Sequence, residues 1–140
     1  MAERIFVDTS VLVAAHDLDA GERRAIAEHV LRALWQDETG VISAQVLQEF
    51  YAALTSGLAS PVPRRAARDL MQAYSVWPTV TLDAADLNVA SDIEERHRIT
   101  FRDAMIVAAA RKAGASLLIA DRIEPFRPIT GLDVKNPFAY

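Results

Sequence analysis

Residues 5–13 read IFVDTSVLV, and this stretch decides the fold. Residues 5–7 are large and apolar without alternation, which is typical of a strand buried on both faces, as in the inner strands of a parallel sheet. Asp8 ends the apolar run, and two hydroxyl residues then precede a second apolar segment, so the chain is predicted to turn from a strand into a helix. Such a turn lies at the carboxyl end of the strand, where open α/β sheets bind their ligands. The carboxylate of Asp8 is therefore expected to face a crevice.

The same pattern recurs near the other end of the chain, where residues 117–120 read LLIA and are followed by Asp121. If both runs are parallel strands, Asp8 and Asp121 emerge along the same edge of the sheet. Two carboxylates on one edge repel each other, so their common position needs a physical reason.

The rest of the chain alternates between helical and extended patterns. Helices are predicted over residues 12–15, 21–39, 44–54, 63–74, 84–97 and 104–113, and short strands over residues 41–42, 79–82 and 132–134. Gly40 is interpreted as the stop of the helix before it, and Ser43 and Asp83 as caps of the helices after them. This order favours a three-layer α/β/α sandwich with a mostly parallel central sheet, formed by a single domain over residues 1–140.

The composition excludes several classes of function. The 140 residues include no cysteine, which rules out disulfides, thiolate metal sites and cysteine nucleophiles. The chain enters its first strand without room for a signal peptide, and no apolar run approaches a membrane span, so a cytoplasmic protein with no membrane contact is expected. A net charge of −4 argues against broad adhesion to nucleic acid, although clustered arginines leave local basic patches open.

Four acids deserve individual weighing, because each has an ordinary explanation. Asp8 could cap the following helix, Glu49 could be a helix-border acid, and Asp121 could be a turn residue. Thr100 and Asp103 are spaced as in a capping box. On the α/β interpretation, however, all four carboxylates lie near carboxyl ends of strands or in the helical turns beside them, so they are expected to converge on one crevice.

Such convergence has an energetic cost that points to a cation. Bringing two unit charges to about 4 Å costs roughly 4 kcal/mol per pair at an effective dielectric constant near 20. Protons or cations must offset that repulsion, and a purely carboxylate site suits Mg²⁺ or Mn²⁺ better than Zn²⁺. The chemistry indicated is metal-assisted hydrolysis of a phosphodiester.

With these motifs in order, the chain resembles the PIN-domain family and, within it, the VapC toxins of bacterial toxin-antitoxin pairs. The resemblance rests on VDTSVL at residues 7–12, SAQVLQE at 43–49, FRDAMI at 101–106, the Asp-Arg turn at 121–122 and NPF at 136–138.

The resemblance implies a PIN-like fold and an endoribonuclease that depends on Mg²⁺ or Mn²⁺. It also implies an RNA substrate, a cognate antitoxin protein that covers the site, and a homodimer. Carried over by motif, the catalytic and metal-binding residues are Asp8, Glu49, Asp103 and Asp121, with the hydroxyl of Ser10 beside them.

Two positions depart from the family pattern. Arg102 stands where an aromatic residue often precedes the third acid, and Ile119 stands where a Thr or Ser often lies two residues before the fourth. Arg102 is either a contact for phosphate or antitoxin, or an exposed arginine at a helix start. His16 could approach the site or be structural, and it is given no role.

Three other classes of protein share parts of this pattern. A catalytically silent PIN-like module that only binds RNA or an antitoxin would keep the same fold. A receiver-type phosphoacceptor would need an acid ending a middle strand and a late lysine, whereas Asp83 suits a helix cap and no lysine follows residues 117–120. A haloacid-dehalogenase-like phosphatase would need an acid where Ser10 stands.

Overall fold

The computed structural model describes residues 3–139, so residues 1, 2 and 140 of the predicted domain lie outside the described range. The five strands are β1 (Ile5–Val7), β2 (Gly40–Ser43), β3 (Thr79–Val80), β4 (Leu117–Ile119) and β5 (Asp133–Lys135). The helices are α1 (Thr9–His16), α2 (Glu22–Asp37), α3 (Ala44–Ser56), α4 (Arg64–Tyr74), α5 (Ala84–His97) and α6 (Phe101–Lys112), with a short 3-10 helix at Glu124–Phe126.

Strand β1 lies at the centre of the sheet, as its uninterrupted apolar sequence predicted. The strand order is β3-β2-β1-β4-β5, and all neighbouring strands are parallel. Phe6 pairs with Val41 on one side and with Leu118 on the other, and its side chain is fully buried. Because the chain leaves β1 in one direction and later returns to its other side, the crevice between β1 and β4 is the topological switch point where such sheets bind ligands.

The helices cover both faces of this sheet. Helix α1 contacts α2 and α3, α3 contacts α4, and α5 packs on α6. Crossovers between parallel strands are right-handed, so the reversal of direction between β3 and β4 puts α5 and α6 on the face opposite α1–α4. The predicted α/β sandwich is therefore confirmed. Within residues 3–139, none of the helices is both long enough and apolar enough to cross a membrane.

Side-chain caps fix where the helices begin. The hydroxyl of Ser43 accepts from the backbone N–H of Val46, and Asp83 caps α5 in a reciprocal capping box. Thr100 accepts from the N–H of Asp103 at 3.1 Å, so α6 begins at Phe101, as the capping-box spacing of Thr100 and Asp103 indicated. Each such cap stabilises a helix by about 1 kcal/mol. This start puts Arg102 and Asp103 in the first turn of α6.

Gly40 serves a different purpose from the one the sequence indicated. Helix α2 already ends at Asp37, and Glu38 adopts the left-handed conformation with φ of 56°. Gly40 is the buried first residue of β2, and a Cβ atom there would lie only 2.8–3.0 Å from ring atoms of Trp77. The prediction that Gly40 stops the helix is wrong, because this glycine makes room for an indole.

Gly40→Ala should therefore destabilise the protein by roughly 1–3 kcal/mol, the usual cost of overpacking a core. Urea unfolding of the parent and the variant measures this cost. The matched control repeats the substitution in a Trp77→Leu background, where the cost should shrink because the indole is gone. The same cost in both backgrounds would show that contact with Trp77 is not the cause.

His16 lies at the end of α1 remote from Asp8 and belongs to an aromatic cluster. Its Nε2 is 2.8 Å from the hydroxyl of Tyr74, and its ring packs edge-on against Phe50. Burial lowers the pKa of His16, while the charge of Glu28 raises it and that of Arg24 lowers it further. The sequence left open whether His16 approaches the site or has a structural role, and these contacts support the structural role.

The lowered pKa predicts how stability depends on pH. The unfolded chain protonates His16 near pH 6.5, whereas the folded protein resists protonation until a lower pH. Below about pH 6.5 the unfolded state binds more protons, so the free energy of unfolding falls as the pH falls toward the folded pKa. Urea unfolding between about pH 8 and about pH 5 should show a shallower decline for His16→Gln than for the parent. Exposed His29 provides the control, and a His29→Gln curve as shallow as that of His16→Gln would contradict the assignment.

Candidate active site

Three of the four predicted acids come together around one guanidinium group. Asp8 caps α1, Glu49 lies on α3, and Asp103 lies in the first turn of α6. Nη2 of Arg102 is 2.8 Å from Oδ1 of Asp8 and 2.7 Å from Oε1 of Glu49. Nη1 of Arg102 is 3.4 Å from Oδ1 of Asp103. We call these three carboxylates the acidic pocket.

Two hydroxyl groups hold the carboxylates of the acidic pocket in place. Thr9 Oγ1 donates to Oε1 of Glu49 at 2.7 Å. Ser10 Oγ donates to Oδ2 of Asp8 at 2.8 Å and accepts from the backbone N–H of Asp121 at 3.2 Å. Ser10 thereby links the ends of β1 and β4, which agrees with its predicted position beside the acids.

Asp121 borders the acidic pocket instead of joining it. Its Oδ2 faces Nη2 of Arg23 at 3.7 Å, and its side chain is 32% exposed. Its backbone carbonyl accepts from the Asn136 amide at 2.9 Å, which ties the Asp-Arg turn to the closing NPF segment. The guanidinium of Arg23 also stacks 4.1 Å from the ring of Phe138. The fourth predicted acid thus lies next to the other three with its carboxylate turned toward a different arginine.

Two of these carboxylates are buried, so their charges have to be compensated by nearby cations. The residues Asp8 and Asp103 are only 5% and 2% exposed, and a buried carboxylate without a partner is costly. Arg102 contacts all three carboxylates of the acidic pocket with its single positive charge, and Nη2 of Arg122 adds a second contact to Asp103 at 3.3 Å. The chain thus supplies its own cations to a pocket that would otherwise be strongly repulsive.

The pKa values of the paired groups reflect this balance. Burial would raise the pKa of Glu49, but hydrogen bonds from Arg102 and Thr9 and the charge of Arg102 together hold it below its usual value. Burial would likewise lower the pKa of Arg102, but its bonds to Glu49 and the charge of Asp8 raise it above its usual value. Both groups therefore remain charged at neutral pH.

The donor chemistry of the acidic pocket fits Mg²⁺ or Mn²⁺, because all of its ligands are hard carboxylate oxygens. Oxygens of Asp8 and Glu49 already lie within hydrogen-bonding distance of a single nitrogen, so they share one cation position. As placed, however, the His, Asp and Glu side chains of residues 3–139 form no group of three or more arranged to hold a metal ion. The side chain that separates the carboxylates is Arg102.

The role of Arg102 in this site was not predicted from the sequence. The sequence left Arg102 either as a contact for phosphate or antitoxin or as an exposed arginine, whereas the side chain is bonded to three carboxylates. A signal was available, because converging acids require a cation and Arg102 adjoins one of them in sequence. Nothing comparable in the sequence indicated that Thr9 would bond to Glu49 or Arg122 to Asp103.

The fold is shared with solved structures of toxin-antitoxin systems. A toxin-antitoxin complex from Klebsiella pneumoniae matches with a TM-score of 0.72 and 20% identity, over 99% of this chain and 100% of that one. VapC20 of Mycobacterium tuberculosis, a sarcin-ricin loop cleaving toxin, matches with a TM-score of 0.69 and 24% identity, over 89% and 95%. DNA-bound VapBC from Salmonella typhimurium matches with a TM-score of 0.68 and 14% identity, over 97% and 99%. Among curated proteins no match was found.

The sequence carries a family signal of its own. It matches the family model described as the PIN domain over residues 5–128, a range that includes Asp8, Glu49, Asp103 and Asp121. The match thus spans most of the chain, and the parallel sheet with its acids at the switch point agrees with it. By its sequence and its architecture, the chain belongs to the PIN domain family.

Proposed function

We propose that this protein is an endoribonuclease that depends on Mg²⁺ or Mn²⁺ and acts as the toxin of a VapBC-type toxin-antitoxin pair. The observation that carries the proposal is the convergence of Asp8, Glu49 and Asp103, from three distant segments, on one cation position at the switch point of the sheet. Membership of the PIN domain family supports a nuclease.

Each residue of the site has a proposed task. Asp8, Glu49 and Asp103 would hold the ion, and Asp121 at the border would complete the pocket or admit a second ion. The bound ion would supply a positive charge for a phosphate oxygen and lower the pKa of a water molecule for attack on phosphorus. Thr9 and Ser10 fix the orientation of Glu49 and Asp8, so the carboxylates do not have to be ordered during the reaction.

Two exposed arginines suit a phosphate backbone. Arg23 and Arg122 flank the acidic pocket with side chains 48% and 56% exposed, and each also faces a carboxylate of the site. Phosphate contacts of this kind position a nucleic acid without reading its sequence. A cationic rim around a carboxylate centre therefore supports RNA as the substrate despite the net charge of −4.

The proposed partners follow from the structural neighbours and from the resemblance. The Klebsiella and Salmonella structures are assemblies of toxins with antitoxins, and we propose a cognate antitoxin protein for this chain as well. We also propose a homodimer in the cytoplasm, with residues 1–140 as one domain. VapC20 cleaves the sarcin-ricin loop, which makes ribosomal RNA a suitable first substrate to test.

Asp8→Asn should abolish RNA cleavage. Removing one charged ligand takes away several kcal/mol of stabilisation from the transition state, which corresponds to a rate at least about a hundredfold lower. Cleavage is measured on ribosomal RNA with Mn²⁺, and Asp69→Asn, at an exposed position of α4, is the control that should keep full activity. Water as the nucleophile leaves 5′-phosphate and 3′-hydroxyl ends, so cyclic phosphate ends would refute the mechanism.

Metal binding should also appear in thermal stability without any substrate. An ion at a hundred times its dissociation constant stabilises the fold by about 2.7 kcal/mol, which raises the melting temperature in Mn²⁺ over that in EDTA. Asp8→Asn should lose most of this rise, whereas Asp69→Asn should keep it. An equal rise in both variants would mean that Mn²⁺ binds elsewhere.

A catalytically silent PIN-like module remains the second candidate, and one observation favours it. Arg102 is bonded to all three carboxylates of the acidic pocket, so the chain itself supplies a cation to them. Such a module would bind RNA or an antitoxin, and its RNA would stay intact in Mn²⁺. Cleavage that depends on Asp8 excludes this candidate.

A further inference from the structure

We propose that Arg102 is an internal competitor of the metal ion, so that its guanidinium and a divalent cation occupy the acidic pocket in exchange for one another. The proposal rests on the metal-dependent function proposed above. It assigns to Arg102 the task of setting how readily the pocket accepts an ion, which is a role in regulation and not in the reaction itself.

Arg102 contacts all three carboxylates of the acidic pocket. Its Nε and Nη2 donate to the two carboxylate oxygens of Glu49 at 3.2 Å and 2.7 Å, which is a bidentate arrangement. Nη2 also reaches Oδ1 of Asp8 at 2.8 Å, and Nη1 reaches Oδ1 of Asp103 at 3.4 Å. Magnesium takes its oxygen ligands at about 2.0–2.1 Å, so it needs these same oxygens in the same small space. The two cations cannot share it.

Arg102 also has a route out of the pocket. Its side chain is 32% exposed, whereas those of Asp8 and Asp103 are 6% and 2% exposed. The guanidinium thus covers the buried carboxylates from the solvent side. Arg102 is the second residue of α6, and a long flexible side chain at a helix start can turn toward solvent by changes of rotamer alone.

The charges indicate why an ion could displace the guanidinium. The acidic pocket holds three carboxylates, Arg102 contributes one positive charge against them, and Arg122 contributes another at Asp103 whether or not an ion is bound. A divalent ion contributes two, so exchange leaves the pocket closer to neutrality. At low ion concentration Arg102 holds the carboxylates together, and at higher concentration the ion replaces it.

Competition of this kind weakens the apparent affinity for the ion. The apparent dissociation constant equals the intrinsic one divided by the fraction of molecules able to bind. If Arg102 occupies the pocket in about nine of ten molecules, its removal should tighten binding by about tenfold. The loss of its bonds should also lower the melting temperature in EDTA, because three carboxylates then face each other with less compensation.

The first experiment measures Mn²⁺ binding by calorimetry for the parent, Arg102→Gln and Arg102→Lys. We expect Arg102→Gln to bind Mn²⁺ about tenfold more tightly than the parent. The affinity of Arg102→Lys should lie between the two, because lysine keeps the positive charge but cannot make the bidentate contact. The matched control is Arg68→Gln, at an exposed position of α4, which should bind Mn²⁺ like the parent.

The second experiment needs no substitution, so it decides the question even if Arg102→Gln fails to fold. The parent protein is treated with phenylglyoxal, which modifies accessible arginines, and the modified sites are identified by mass spectrometry. Saturating Mg²⁺ should increase modification of Arg102, because the displaced guanidinium enters solvent. Modification of Arg68 should not change.

The outcomes separate this proposal from the function on which it rests. Equal Mn²⁺ affinities for the parent and Arg102→Gln, or unchanged modification of Arg102 in saturating Mg²⁺, would overturn the exchange while leaving a metal-binding protein. If neither the parent nor Arg102→Gln binds Mn²⁺, the metal-dependent function itself fails. Tighter binding by Arg102→Gln together with greater modification of Arg102 supports the exchange.

Discussion

The contact between Arg102 and the three carboxylates of the acidic pocket is the interaction on which the rest of the site depends. Helices α1 and α3 lie on one face of the sheet and α6 on the other, and this guanidinium joins all three at the switch point. Without compensation, a pair of carboxylates brought to about 4 Å would cost roughly 4 kcal/mol. The fold can therefore concentrate negative charge here only because it brings a cation with it.

The same concentration of charge links stability with function. A pocket that gathers three carboxylates is unstable by itself, and sites of this kind commonly weaken the proteins that carry them. The surrounding structure limits that cost by rigid support. Helix α1 is fixed at its beginning by the bonds of Asp8 and Ser10 and at its end by the packing of His16 against Tyr74 and Phe50. Asp8 thus lies at the start of a helix that is held at both of its ends.

Much of the fold could be predicted because its signals are local. The apolar run of β1, the caps Ser43 and Asp83, and the alternation of strands and helices all depend on neighbours in sequence, and the structure confirms them. Gly40 was misread because a glycine after a helix usually ends it, while its actual reason is a tryptophan ring that arrives from 37 residues further along. Contacts between distant segments leave no pattern in a local window of sequence.

The acidic pocket was likewise predictable only in part. The sequence by itself determined that Asp8 follows a buried strand, that Thr100 starts a helix with Asp103 in its first turn, and that several acids share one edge of the sheet. Only the tertiary structure decided that Arg102 pairs with them, through bonds to residues 53 and 94 positions away, and that Asp121 turns toward Arg23. The physical reason is that charges pair through space, so the partner of a buried carboxylate is chosen by the packing of the helices and not by its neighbours along the chain.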